Sequence, residues 1–90
     1  MKVLLRYRTC EITFSETDPL YAGKTVELQG EAFDDVTFHV FKSEKLYWST
    51  PSPENPDRCI GISVDNSEKE NLLSYIVEKA QEIGCHLVLW

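Results

Sequence analysis

The side chains of this sequence that could act as a nucleophile and its base are three cysteines and two histidines: Cys10, Cys59, Cys85, His39 and His86. A nucleophilic cysteine needs a base beside it, and no nucleophile elbow, glycine-rich oxyanion loop or other signature surrounds any of these residues. The cysteines also lack CxxC spacing, so the sequence predicts neither a zinc site nor a disulfide framework. We therefore expect no catalytic residue and no enzyme activity, and we expect reduced thiols in a cytoplasmic protein.

Three carboxylates could in principle hold a hard cation, because Glu31, Asp34 and Asp35 lie close together in the sequence and such cations take oxygen ligands. Their spacing matches no EF-hand loop, and aspartate is common at hairpin tips because its side chain accepts local backbone hydrogen bonds. With only four glycines, the chain contains no GxGxxG or P-loop pattern. We expect no metal and no cofactor.

The composition is that of one folded domain covering residues 1–90, with 42% hydrophobic and 27% charged residues. No apolar run approaches the roughly 20 residues that cross a bilayer, so the sequence predicts neither a membrane span nor a signal peptide. Fifteen acidic residues against nine basic ones give a net charge of −6. This charge repels phosphate backbones and anionic membranes and favours a basic partner.

Alternating apolar residues predict strands along the first half of the chain, at residues 3–7, 10–14, 24–33 and 36–42. The first two are either a strand pair or one strand with a bulge near Arg8. Asp34 and Asp35 predict a tight hairpin, and Gly30 predicts a bulge or a bulky neighbour over the backbone. Phe33 and Phe41 fall on the otherwise polar face, which predicts that either the helix or a partner covers that side.

The second half predicts a loop, a strand, a helix and a last strand. Three prolines between residues 51 and 56 predict an exposed loop over residues 49–57, followed by a strand at 59–64. One apolar stripe predicts an amphipathic helix, formed by Leu72, Leu73, Ile76, Val77, Ala80 and Ile83. Asp65, Asn66 and Ser67 are candidate N-caps, and Ser67 has capping-box spacing to Glu70. Gly84 predicts the end of the helix, before a buried strand at residues 85–90.

Together these elements predict an α+β fold, with a mainly antiparallel sheet, one C-terminal amphipathic helix packed on a face, and a final C-terminal strand. The residues left for function lie on its surface. Acidic candidates for a partner-binding surface are Glu54, Asp57, Glu78, Glu82, Asp34 and Asp35. Glu78 and Glu82 lie near the negative end of the helix dipole and repel each other at i, i+4 spacing. They form either a solvated face or an anionic patch for a basic ligand. Tyr47 and Trp48 are either interface anchors or core residues.

One family resemblance rests on the order of elements and on scattered residues between positions 24 and 90. The resemblance begins with the run Thr25-Val26-Glu27-Leu28-Gln29-Gly30-Glu31, followed by an aromatic strand that ends at Lys42 and Ser43. Trp48, an acidic proline loop, a helix whose start is rich in Glu and Lys, and a terminal strand come after it. In these features the chain resembles small bacterial immunity proteins of polymorphic toxin and contact-dependent growth inhibition systems. The resemblance implies a cytoplasmic protein that binds and neutralises one cognate toxin domain, encoded by the adjacent gene.

Toxins of that kind are often nucleases with basic clefts, so the resemblance also implies a basic protein partner and no catalytic residue in this chain. The alternative function is a small adaptor or regulatory subunit that pairs with its own copy or with a larger enzyme through an open sheet edge. A small hydrolase is the third. The oligomeric state stays open at this point.

Overall fold

A computed structural model describes residues 1–90 as seven strands and one helix. The elements are β1 (Lys2–Leu5), β2 (Thr9–Thr13), β3 (Thr25–Ala32), β4 (Thr37–Val40), β5 (Tyr47–Pro51), β6 (Cys59–Ser63), α1 (Asn66–Glu82) and β7 (His86–Leu89). The predicted α+β fold is confirmed, since the strands form one curled, largely antiparallel sheet and the helix precedes the last strand. The helix is neither long enough nor apolar enough to span a membrane.

The sheet divides at β3, the longest strand. On one edge β3 pairs with β2, which in turn pairs with β1. On the other edge its first residues pair with β5 and its last residues with β4. Two pairs of strands therefore extend from this edge of β3. We call them the β5–β6 limb and the β4–β7 limb. Only β4 and β7 are parallel, and β7 is the outer strand of its limb.

The N-terminal strands form a hairpin, which decides between the two alternatives predicted for this segment. The turn is closed by the Arg6 N–H, which donates to the Thr9 carbonyl at 2.8 Å. A loop connects β2 to β3, and Gly23 in it has φ 71°. Such a positive φ is readily adopted by glycine and by few other residues.

The core lies between one face of the sheet and the helix. Alternate strand residues supply the sheet side, and the predicted apolar stripe supplies the helix side, where Leu72, Leu73, Ile76 and Ala80 are buried. Val77 is only partly buried and Ile83 is exposed, so the stripe is narrower than predicted. The fully buried sheet residues include Cys10, Ile12, Val26, Leu28, Phe38 and Val40.

Both ends of α1 are capped. Asp65 is the N-cap, and its side chain accepts the Ser67 N–H at 3.0 Å, so Ser67 is not the cap. At the other end the Cys85 N–H donates to the Ala80 carbonyl and the Gly84 N–H to the Gln81 carbonyl. This is the Schellman arrangement, and it uses the predicted terminator Gly84 at φ 82°.

Gly30 lies where a bulky neighbour crosses the backbone, as predicted. A Cβ at this position would meet the ring of Phe38 at 2.6 Å and would also collide with the His39 carbonyl oxygen. The missing side chain therefore lets β4 approach β3 at the point where the β4–β7 limb begins.

Two predictions in the second half were wrong. Residues 49–51 belong to β5 rather than to a loop, and Pro51 is compatible with the strand because it is the last residue, paired only with Cys59. The last strand is not buried on both faces. Leu87 packs into the core. Val88 is exposed because it lies beside His39 on the face opposite the helix, and Leu89, at the end of this outer strand, is exposed as well.

Candidate functional site

The sheet face opposite the helix carries two carboxylates that face each other. Glu11 of β2 is directly opposite Glu27 of β3, and Tyr47 of β5 lies on the far side of Glu27. Like charges at directly opposite positions of an antiparallel pair are unfavourable, so the fold gains no stability from this choice. We call Glu11 and Glu27 the carboxylate pair.

The surroundings of the carboxylate pair offset only part of this repulsion. The Arg6 guanidinium lies 3.8 Å from Glu11 Oε2, and the Gln29 amide donates to Glu27 Oε1 at 2.8 Å. Glu27 has a hydrogen bond but no ion pair. The carboxylate pair therefore leaves negative charge on the outer face. Both glutamates are half-buried, and Glu27 is next to Tyr47.

On the β4–β7 limb the same face carries four aromatic rings in a line, formed by Phe33, His39, Trp90 and Phe41, which we call the aromatic row. Ring centroids are 5.4 Å apart from Phe33 to His39, 4.5 Å from His39 to Trp90 and 6.2 Å from Trp90 to Phe41. Phe33 is 72% exposed and Trp90 is 59% exposed. The helix lies on the other face, so it does not cover the apolar residues that were predicted to need a cover.

Carboxylates border the aromatic row. Glu31 is exposed and directly opposite His39, while Asp34 and Asp35 follow Phe33 in the hairpin tip. The Val36 N–H, which Asp34 accepts at 2.9 Å, lowers the pKa of Asp34, and Thr37 and His86 act in the same direction against partial desolvation. Asp34 therefore both shapes the hairpin and holds a negative charge beside the rings.

A second group of aromatic side chains lies on the core side of the sheet. Tyr21 packs against Phe14, Tyr75 and Trp48 with ring centroids 5.2 to 5.7 Å apart. Trp48 is half-buried against the core, with Lys24 Nζ 5.1 Å from its ring, whereas its neighbour Tyr47 belongs to the opposite face. The structure thus places Trp48 among core residues and leaves Tyr47 beside the carboxylate pair.

One hydrogen bond ties this aromatic group to the loop between β2 and β3. The Tyr75 hydroxyl donates to Asp18 Oδ2 at 2.8 Å, and the Leu20 and Tyr21 N–H groups donate to Asp18 Oδ1. Desolvation raises the pKa of Asp18, but these donors and the charge of Lys79 outweigh it and leave the pKa lowered. The same hydrogen bond, with desolvation, raises the pKa of Tyr75 to about 12.

The predicted acidic residues do not form one surface. Glu54 and Asp57 lie in the loop between β5 and β6, beyond the start of β3, whereas Asp34 and Asp35 lie beyond its end. Glu78 and Glu82 are exposed on the helix, and Lys79 Nζ is 3.8 Å from Glu82 Oε2. Of these residues, only Asp34 and Asp35 border the aromatic row.

The cysteines do not provide a reactive thiolate on the core side. Burial raises the pKa of the Cys10 thiol to about 12, with Cys85 and Glu11 adding to the effect, and burial also raises the pKa of Cys85. Both are therefore protonated thiols near neutral pH. Cys59 is exposed on β6. No group of three or more His, Cys, Asp or Glu side chains is placed to hold a metal ion.

One cleft of about 660 Å³ lies between Lys42, the first half of α1 and Leu89. Of its eight lining residues only Leu73 and Leu89 are hydrophobic. Sites for small molecules are lined mainly by apolar and aromatic side chains, so this cleft does not have their character. The exposed outer face is the better candidate site.

Sequence reasoning missed the carboxylate pair and most of the aromatic row. The parity of Phe33 and Phe41 was the available signal, and His39 shares it, but Trp90 was assigned to a buried strand. Which glutamates face each other depends on the register of β2 against β3, and the sequence does not display that register. Comparisons with family models, with curated proteins and with solved structures found no match for this chain.

Proposed function

We propose that this protein binds and neutralises a basic protein toxin in the cytoplasm, in the manner of the immunity proteins that its sequence resembles. The observation that carries the proposal is the outer sheet face, where the carboxylate pair and the aromatic row lie side by side on β3 and its neighbours. Exposed aromatic side chains beside unpaired carboxylates are typical of a binding surface and do little to stabilise the fold.

The two parts of the face would contribute differently to a complex. Negative charge attracts a basic protein over a distance and speeds its encounter, in addition to the net charge of −6. Buried aromatic anchors supply most of the affinity once the surfaces touch. The basic cleft of the toxin would bind the acidic outer face. The toxin would then lose activity because this cleft is covered.

The test is protection of growing cells. The toxin domain encoded by the adjacent gene is expressed from an inducible promoter, with and without this protein, and the purified pair is examined by size-exclusion chromatography and surface plasmon resonance. Protection together with a complex of the two chains is the expected result. Cells that die despite folded, soluble protein would refute the proposal.

A charge-matched pair of variants connects the protection to the face. Glu11→Gln with Glu27→Gln removes the carboxylate pair, whereas Glu44→Gln with Glu70→Gln removes the same charge at exposed positions elsewhere. The first variant should slow association several-fold more than the second, because charges at the contact act more strongly than distant, screened ones. Equal effects would show that the outer face is not where the toxin binds.

The alternative, an adaptor that joins another chain through a sheet edge, is favoured by one observation. β7 pairs with β4 on one side only, and its residues Val88 and Leu89 are exposed. An unpaired edge can add a strand from a second copy or from another protein. Sedimentation velocity of the purified protein decides whether a second copy takes this edge.

A further inference from the structure

We propose that the aromatic row is the docking site for an arginine-bearing segment of the basic partner. The guanidinium groups would stack on the exposed rings of Phe33 and Trp90 and pair with the carboxylate of Glu31. The inference rests on the proposed function and specifies which residues of the partner are recognised and where.

The rings of the aromatic row lie close together. Successive centroids in the row are separated by 4.5 to 6.2 Å, so the rings form a continuous aromatic strip rather than isolated residues. Phe33 and Trp90, on either side of His39, are mostly exposed, and the helix packs on the opposite face of the sheet. A surface of this kind remains in contact with water until another molecule covers it.

Carboxylates without ion-pair partners lie beside the strip. Glu31 is directly opposite His39, and at such positions Cβ atoms lie about 4.5 to 5.5 Å apart. Neither Glu31 nor Asp35 has an ion pair, and the two salt bridges of the protein lie elsewhere. An apolar partner would desolvate these carboxylates without compensation, and a second copy would add the repulsion of its own net charge of −6. A cationic occupant avoids both costs.

Arginine and lysine differ in how they bind a surface of rings and carboxylates. A guanidinium is planar and weakly hydrated, stacks on aromatic faces, and still presents donors in its plane to a carboxylate. The more strongly hydrated ammonium of lysine loses more on leaving water. Rings and an unpaired glutamate at adjacent positions therefore suit arginine better.

The test uses a short acetylated and amidated peptide of alternating arginine and valine, with matched peptides in which lysine or neutral citrulline replaces arginine. The chain has two tryptophans, so the indole N–H signals of Trp90 and Trp48 in a ¹H–¹⁵N spectrum report on the aromatic row and on the core group in one sample. The arginine peptide should shift the Trp90 indole and the amides of Phe33 and His39, while the Trp48 indole stays in place.

Four further results are expected from the same titration. The lysine peptide should bind more weakly, and the citrulline peptide should cause no saturable shift. Glu31→Gln should weaken binding of the arginine peptide by about tenfold, since it removes a charge-assisted contact. The matched variant Glu70→Gln, on the helix at the opposite face of the sheet, should leave the affinity unchanged. Equal binding of all three peptides, or shifts only outside the aromatic row, would overturn the inference.

The toxin domain of the adjacent gene separates failure of this inference from failure of the proposed function. If the toxin binds the protein and Trp90→Ala raises its dissociation rate about tenfold or more, both proposals stand. If the toxin binds with Trp90→Ala and Phe33→Ala unaltered in affinity, the proposed function stands and the docking site is wrong. If the toxin does not bind at all, the proposed function fails, and the toxin domain is not the arginine-bearing partner. A dimer that disappears with Trp90→Ala would assign the aromatic row to a second copy and overturn the inference.

Discussion

The hydroxyl of Tyr75 shows how one side chain joins the helix to a loop far from it in the sequence. It donates to Asp18 Oδ2 at 2.8 Å, and Asp18 in turn accepts two N–H groups of its own loop. The helix therefore contacts the segment between β2 and β3 through this hydrogen bond. It also contacts that segment through the Tyr75 ring, which packs against the rings of Phe14 and Tyr21.

We predict that Tyr75→Phe changes the dependence of stability on alkaline pH. The folded-state pKa of Tyr75 is raised from 10.0 to about 12, so the stabilisation is fully present below pH 10 and is lost as the pH rises towards 12. Melting temperatures of Tyr75→Phe should be lower than those of the unchanged protein at pH 8, and the two should converge by pH 12. Two parallel melting curves across this range would contradict the role of the hydrogen bond.

The two tryptophans should respond differently to removal. Trp48 packs against the core, so Trp48→Ala should lower the free energy of unfolding by roughly 3 kcal/mol while leaving binding of the folded protein unchanged. Trp90 is mostly exposed, so Trp90→Ala should change stability by less than about 1 kcal/mol. Urea denaturation measures both values. A larger stability loss for Trp90 than for Trp48 would reverse this assignment.

Among the elements, β3 organises the sheet because it pairs with three other strands. It alternates half-buried and buried residues as far as Gly30, the residue at which pairing with β4 begins. The position of the aromatic row therefore depends on how closely β4 can approach Gly30.

Gly30→Ala tests this dependence. The added methyl would meet the Phe38 ring and the His39 carbonyl, and overpacking of this kind costs about 1 to 3 kcal/mol. Because His39 belongs to the aromatic row, its side-chain resonances should also shift in the variant. Gly61→Ala is the control, since a Cβ there would make only ordinary contact with Tyr47 at 3.4 Å. Equal melting temperatures for the two variants would contradict the steric argument.

β7 contributes to the core although most of it is exposed. Deleting residues 85–90 removes the buried Cys85 and Leu87 and uncovers β4 together with part of the helix. Each large apolar side chain taken from the core costs roughly 1.5 to 3 kcal/mol, against a total stability of about 5 to 15 kcal/mol for a typical domain. We expect the truncated chain not to fold. A cooperative thermal transition near that of the full chain would show that β7 is dispensable.

At the scale of the whole molecule, the acidic residues considered for partner binding fall into three regions. Glu54 and Asp57 occupy one end of the sheet, the hairpin tip and the carboxylate pair occupy the outer face, and Glu78 and Glu82 lie on the helix. All contribute to the long-range field, but only charges near the contact affect the final steps of docking.

Two sets of substitutions test which of the predicted acidic residues belong to the binding surface. Glu54→Gln with Asp57→Asn changes the loop, and Glu78→Gln with Glu82→Gln changes the helix. If the toxin binds the outer face, each set should slow association less than Glu11→Gln with Glu27→Gln does. Melting temperatures should stay nearly unchanged, because exposed charges contribute little to stability. Surface plasmon resonance at two salt concentrations provides the rates. A set that slows association as much as the change at the carboxylate pair would show that its region belongs to the interface.

The sequence alone determined the local features of the fold. The alternation of residues 24–33 predicted β3, the pair Asp34 and Asp35 predicted the hairpin, and Gly84 predicted the end of the helix. These features depend on contacts between residues close in the chain, so composition and spacing are enough to reveal them.

Only the tertiary structure decided which residues meet. The three strands around β3, the parallel pairing of β4 with β7, and the register that sets Glu11 against Glu27 join residues far apart in the chain. The sequence marked Phe33 as apolar on a polar face, but Trp90 joins it only because β7 pairs beside β4 and leaves that face uncovered. Strand register follows from the burial of all the strands together, and therefore the candidate site could not be located one segment at a time.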